Sequence, residues 1–494
     1  MRPGRPRAGA TFVALTLVLA ACGSVTPSGV SQGSAAAAPS AIGSQQPPGS
    51  SATALPSVDL GGQVAPEAVA RHLEALDAIA RDNGGIRASG TSGYDASVDY
   101  VAGELAALGW QVTTPQFQLP TFVELPGATL EVVGGPTFSA PDDLHAMIYS
   151  GDGTLTAEVS TVGFVDSAGG AGDRGCDADD WEGFPEGDIA LTPPAPCLRR
   201  DLVQRAQDAG AAALVVANGA WEAGEALRPT LLSPDDIDIP AISAIGEVGE
   251  ALEQAAQHDS EVRIDLDTTV AGATVRNVVA EHGDGSPVVM LGAHLDSVLD
   301  GPGLNDNGSG VAAVLEIAHL LADAGHPGTV RVAFWAGEEL GLHGSRAYAT
   351  GGGDLAGVAA YLNLDMLGSR NGVPLVYRNA GAPPGSDEIS DFLLAWLTAN
   401  GVAAETQDLG GGSDHYFFAE AGIPIGGIFS GATEEVSPEQ AQANGAEAGE
   451  PMDPCYHLAC DGIDNVDVQR VAIYAQAAAA AAMLLAEGRL ASGQ

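Results

Sequence analysis

From Thr269 onward the sequence alternates largely apolar runs of strand length with longer stretches of helical periodicity, and this alternation restricts the fold more than any other feature. The runs Val288 to Ala293, Val330 to Trp335, Ala359 to Leu364 and Ile423 to Phe429 read as strands covered on both faces, as in a parallel sheet. Gly310 to Ala324, Ser386 to Ala399 and Val466 to Leu485 read as the helices between and after them. Strand, helix, strand in this order predicts a doubly wound, mixed α/β sheet with crossover helices. The stretch from Val64 to Thr114, with helical patterns at Glu67 to Arg81 and Tyr94 to Leu108, opens the same domain. In such sheets ligands bind outside the carboxyl ends of the strands, so the polar residues just past each strand are the candidates for chemistry.

The first strand runs into His294-Leu295-Asp296, an imidazole with a carboxylate placed to accept its other ring N–H and fix its tautomer. The glycine-rich turn Gly303 to Gly310 opens a helix and carries one central carboxylate, Asp306. It lacks the lysine of a phosphate-binding loop, and Asp306 reads either as a helix cap or as a metal-bridging carboxylate. The second strand ends in Ala336-Gly337-Glu338-Glu339, where two adjacent acids in an apolar setting repel and call for a cation. One can ligate while its neighbour shuttles protons. The third strand delivers Asp365. Near the C-terminus, Cys455-Tyr456-His457-Leu458-Ala459-Cys460 sets a Tyr and a His inside a small loop between two cysteines.

Arg2, Arg5 and Arg7 precede the apolar run Ala10 to Ala21, the pattern of an export signal too short to span a membrane. Its end, Leu19-Ala20-Ala21-Cys22, resembles the bacterial lipobox and implies a lipid anchor at Cys22. The Ser, Ala, Gly and Pro-rich stretch after it cannot repay its ordering entropy and is expected to be a disordered tether. The remaining four cysteines meet an oxidising compartment, where pairing is the default, and sequence order suggests Cys176 with Cys197 and Cys455 with Cys460. With 64 acidic residues against 19 basic ones, all Arg, the net charge of −45 argues against nucleic acid and anionic surfaces as ligands.

Two histidines, three carboxylates and no cysteine suit zinc with oxygen-rich co-ligation, and a carboxylate shared between ions is how a two-metal hydrolase is built. Taken together and in this order, these motifs resemble the co-catalytic two-zinc aminopeptidases, the family of the secreted bacterial leucine aminopeptidases and aminopeptidase Y. The resemblance implies two Zn2+ per chain: His294 and Asp365 hold one, Glu339 and His457 the other, and Asp306 bridges. It implies a metal-bridged hydroxide as nucleophile, Glu338 as general base, Tyr456 polarising the scissile carbonyl, and peptides with a free N-terminus as substrates. His415, in Gly412-Ser413-Asp414-His415, competes with His457 for the last ligand position, and His457 is favoured. Gly412 departs from the Arg of a secreted relative. His72, His145, His258, His282, His319, His326 and His343 show no carboxylate at ligand spacing and read as surface or core residues.

Between Pro120 and Asp267 the texture changes to short β-rich runs, and Gly187 to Leu191, Ala209-Gly210-Ala211 and Ile239 to Ile242 resemble the protease-associated domain. The expected organisation is a lipoprotein signal and lipobox at 1–22, a tether at 23–60, a zinc peptidase domain at 61–119 and 268–490, and an inserted protease-associated domain at 120–267. The chain is expected to be a monomer, touching membrane only through Cys22. Two other readings stand beside the aminopeptidase. One is a carboxypeptidase of the glutamate carboxypeptidase type, which needs cations to hold a terminal carboxylate; the other is a catalytically inactive peptide-binding lipoprotein, which the complete ligand set with Glu338 argues against.

Overall fold

The apolar runs after Thr269 become the middle of one eight-stranded sheet. The computed structural model describes Val58, Leu60 and residues 62–163, 175–218 and 226–490, so the export signal, Cys22 and nearly all of the tether lie outside the described residues. The strands are β1 (Gln111–Thr113), β2 (Val278–His282), β3 (Val288–His294), β4 (Thr329–Trp335), β5 (Val358–Leu364), β6 (Leu375–Tyr377), β7 (Glu405–Gln407) and β8 (Ile425–Phe429). Their order across the sheet is β1-β2-β4-β3-β5-β8-β6-β7. The four central strands β4, β3, β5 and β8 run parallel, while β2 pairs with β4, and β6 with β8, antiparallel. Every residue of β4 is buried. Burying each Val, Leu or Phe side chain contributes roughly 1.5–3 kcal/mol, which is why these runs dominate the pattern and the fold. The strands that sequence pattern does not anticipate are β2, five residues on the antiparallel side of β4, and β1, β6 and β7, each of three residues and too short to show a period.

The helices match the sequence pattern closely: α1 (Pro66–Asp82), α2 (Ser92–Ala107), α3 (Gly310–Ala324), α4 (Ser386–Ala399) and α5 (Val468–Ala486). In α1 a proline sits in the first turn, and Val69, Leu73, Leu76 and Ala80 form the buried stripe. The nineteen residues of α5 are apolar enough to cross a membrane, but most are buried inside the protein, and its alanines let α1, α3 and α4 approach closely. His72, expected to lack a carboxylate partner, has one: its Nε2 lies 2.9 Å from Glu316 Oε1 and its Nδ1 2.6 Å from the Tyr100 hydroxyl. It joins α1, α2 and α3. His145 likewise meets Glu124, and His319 meets Asp323 one turn on. The partners of His72 and His145 come from other elements, which spacing along the chain does not reveal, whereas His319 and Asp323 are an i,i+4 pair on α3.

A nine-pair antiparallel ribbon, Gln116–Glu124 with Thr268–Arg276, leads into and out of the inserted module. The module holds a five-stranded sheet and a four-stranded sheet, with helices at Arg199–Asp208 and Gly246–Gln257. Cys176 is bonded to Cys197 and Cys455 to Cys460.

Candidate metal centre

Because β3, β4 and β5 are parallel neighbours, their carboxyl ends lie side by side, and the residues just past one strand meet those just past the others. His294 is the last residue of β3, Glu338 and Glu339 come after β4, and Asp365 comes after β5. Asp306 arrives from the turn before α3. Gly303 there takes a left-handed conformation (φ 63°), and Asp306 itself is not helical (φ −105°, ψ 91°). The side chain that meets the helix start is Asn307, its Oδ1 accepting from the Gly310 N–H at 2.9 Å while its Nδ2 donates to Leu364 O at the end of β5.

The five residues form two overlapping clusters. His294 Nε2 is 3.0 Å from Asp306 Oδ1 and 3.3 Å from Asp365 Oδ1. His457 Nε2 is 3.2 Å from Asp306 Oδ2 and 3.1 Å from Glu339 Oε2. Asp306 thus gives one oxygen to each cluster. His415 belongs to neither, because its Nε2 is taken up by Gly410 O and Asn379 Nδ2, both at 2.9 Å. His457 reaches the site from the loop closed by the Cys455–Cys460 bond, with a left-handed backbone (φ 61°). Tyr456 stacks on its ring at 3.8 Å. At His294 Nδ1 the nearer acceptor is the main-chain oxygen of Asp296 at 3.1 Å, with Oδ1 at 3.7 Å. Both the main-chain oxygen and the carboxylate of Asp296 thus face this nitrogen, and Asp296 Oδ1 also accepts from the Glu338 N–H at 3.3 Å.

The electrostatics of the cluster call for positive charge at its centre. Burial alone would raise Asp306, yet hydrogen bonds from His294 and His457 hold it below the usual carboxylate range. Burial would lower both imidazoles, yet the surrounding carboxylates hold them well above their ordinary value. Glu338 is pushed far up by burial, with Glu339 and Asp414 adding to it, and Glu339 is pushed to about 7 chiefly by burial. Glu339 Oε1 is buried without a hydrogen-bond partner, and Asp365 Oδ1 meets only His294 Nε2, at 3.3 Å. Such oxygens carry a desolvation cost unless a cation meets them, so the donor set fits divalent metal ions.

Support comes from residues that carry no signal in the sequence. Arg87 is fully buried, and its guanidinium donates to Pro302 O at 3.0 Å, Gly303 O at 2.6 Å and Leu295 O, three main-chain oxygens on the His294 and Asp306 segments. Asp461 accepts from the Asn305 and Asp306 N–H groups, and Asn465 bridges Asp461 to Asp453. Arg87→Met should strand three buried acceptors, each costing about 1–3 kcal/mol, and so lower unfolding free energy by at least about 3 kcal/mol in urea titration. A change under about 1 kcal/mol would show that water takes the arginine's place.

The cleft over these residues holds about 80 Å³ and is lined by His294, Asp306, Glu338, Asp365, Tyr456 and His457, with Met366, Leu409 and Phe429 supplying apolar wall. Two larger hollows, of about 850 and 620 Å³, have no histidine in their walls.

The family model for peptidase family M28 matches residues 277–482, and that for the PA domain matches residues 156–252. A Pseudomonas aeruginosa protein named aminopeptidase is 37% identical over 428 residues, covering 83% of this chain and 79% of its own. The chain belongs to peptidase family M28. A second relative of this M28 peptidase, the probable lipoprotein aminopeptidase LpqL of Mycobacterium tuberculosis, is 38% identical over 427 residues, covering 83% of each chain. Among solved structures, the aminopeptidase from Aneurinibacillus sp. strain AM-1 superposes with a TM-score of 0.67 at 22% identity, over 86% of this chain and 94% of that one. BSAP, a zinc aminopeptidase from Bacillus subtilis, gives 0.66 at 24%, over 87% and 97%. These two share the fold; the family and its aminopeptidase relatives make this M28 peptidase a hydrolase of peptide bonds, with an inserted PA domain.

Proposed function

We propose that this M28 aminopeptidase releases N-terminal residues from peptides with two zinc ions, one held by His294 and Asp365, one by Glu339 and His457, and both by Asp306. The observation that carries the reading is the division of the Asp306 oxygens between the two clusters. Zinc bound there supplies Lewis acidity and a water of lowered pKa. The protein's own groups do the rest. Glu338, at the cleft wall, takes a proton from the attacking water and gives it to the leaving nitrogen; Tyr456 faces the same space and donates its hydroxyl to the developing oxyanion. The carboxylates around the cleft favour the cationic α-amine of a substrate.

A carboxypeptidase would need a cation facing the cleft, and no arginine is in its wall. Of the seven described arginines after Thr269, Arg276, Arg331, Arg378 and Arg489 are paired with acids elsewhere, Arg370 and Arg470 donate to main-chain oxygens, and Arg346 lies over the Phe417 ring. The test is a panel of free and N-acetylated aminoacyl anilides, with zinc measured on the same sample. The free amines should be cleaved and the acetylated ones not, with close to two zinc per chain and loss of activity on chelation. Cleavage of both alike would overturn the aminopeptidase reading, and a single zinc would overturn the bridging role.

The LpqL relative is named a lipoprotein, and we extend that to this chain on the lipobox at Leu19 to Cys22, with the domain limits expected from the sequence. Cys22→Ser should move the enzyme from the membrane fraction to the supernatant at unchanged specific activity. Retention in the membrane fraction would remove the lipid anchor from the account.

A further inference from the structure

We infer that Arg228, in the inserted module, is a positioning residue for the metal position formed by Glu339 and His457, acting through Asp300. The inference rests on the two-zinc reading. Arg228 forks onto Asp300, Nε to Oδ2 at 2.8 Å and Nη2 to Oδ1 at 3.0 Å. The same guanidinium donates to Glu124 Oε2 and to His145 Nδ1, the latter at 2.8 Å. Burial opposes charge on Glu124, Asp300 and Arg228, but is outweighed: the His145 hydrogen bond and the Arg228 charge hold Glu124 below the usual carboxylate range, the Arg228 fork holds Asp300 below it, and Asp300 and Glu124 raise Arg228. A bidentate fork of this kind fixes direction as well as distance.

Asp300 lies between His294 and Asp306 in the chain, and its neighbour Gly301 presses on the loop that carries His457. A Cβ on Gly301 would stand 2.3 Å from Leu458 O. Displacing Asp300 therefore displaces the backbone that backs the His457 turn. On its other side the Arg228 segment crosses the loop that carries Glu339. Thr230 Oγ1 donates to Leu340 O at 3.4 Å, and a Cβ on Gly341 would stand 2.5 Å from Leu232 O. One short stretch of the inserted module thus touches the segments behind both ligands of the same metal position.

The experiment uses the full chain with Arg228→Lys, which keeps the charge and loses the fork, Asp300→Asn, which keeps the shape and loses the charge, and the double variant. Both zinc dissociation constants are measured by competition with a chromogenic chelator, alongside the thermal midpoint of the chelator-stripped protein. Each single variant should weaken one of the two constants by about tenfold, the lower end of what outer-sphere partners of a ligand are worth, and leave the other unchanged. The double variant should be no weaker than the worse single one, and excess zinc should restore kcat. If the midpoint falls while both constants stay within about twofold of the parent's, Arg228 is a brace and the inference is wrong. If the parent itself binds one zinc, the two-zinc reading fails first, and that result is seen before any variant is made.

Discussion

Glu338→Gln is expected to lower kcat by about 10²–10⁴, the usual share of general acid–base catalysis, at a zinc content equal to the parent's. The two adjacent acids after β4 differ in surroundings rather than in kind. Glu339 is buried with Oε2 3.1 Å from His457 Nε2, whereas Glu338 is half-buried and forms part of the cleft wall. Glutamine keeps the size and shape of Glu338 and removes only its ability to take a proton. Its main-chain N–H still reaches Asp296, so the loop should hold. Glu339→Gln should behave oppositely, with zinc bound more weakly and activity partly restored by excess zinc. His294, Glu338 and Glu339 can also be drawn together around one ion. If Glu338→Gln lost zinc while Glu339→Gln kept it, the two roles would have to be exchanged.

Asp306→Asn is expected to be costlier, because it weakens both metal positions at once. Each oxygen of Asp306 faces a different imidazole, and asparagine offers one uncharged oxygen in place of two sharing a charge. Loss of an outer-sphere partner costs about 10–100-fold in metal affinity, and loss of a shared charged ligand should exceed that at both positions, taking zinc content well below two per chain and activity with it. The fold should survive, since the contact from Asp461 goes to the main-chain N–H of residue 306. Zinc analysis beside a urea titration separates the effects. Retention of one zinc at parental affinity, with only the other lost, would mean that residue 306 serves a single ion.

Much of the cluster was legible because most of its residues are announced locally. An apolar run that ends in a His or carboxylate is conspicuous: β3 leads into His294, β5 into Asp365, and β4 into the adjacent pair Glu338 and Glu339. His457 was singled out by the family resemblance, and the fold brings it within 3.2 Å of Asp306 and 3.1 Å of Glu339. Sequence spacing puts Asp296 beside His294, but only the fold shows that its main-chain oxygen is nearer than its carboxylate. Arg87, Asp461 and the Arg228–Asp300 pair gave no such signal. Arg87 sits in a turn-rich segment where an arginine normally faces water, and only the packing of that turn beneath the His294 and Asp306 segments buries it.

By itself the sequence determined the strand and helix alternation, the side of the sheet on which chemistry falls, and the kind of ion the donors suit, because hydrophobic periodicity and ligand chemistry are properties of short segments. The tertiary structure alone decided which carboxylate oxygen faces which imidazole, that His415 turns away toward Gly410, and that an arginine from the inserted module reaches the segment behind His457. Those facts join residues far apart in the chain. They depend on the loss of water around charged groups, which happens only once the whole fold has closed.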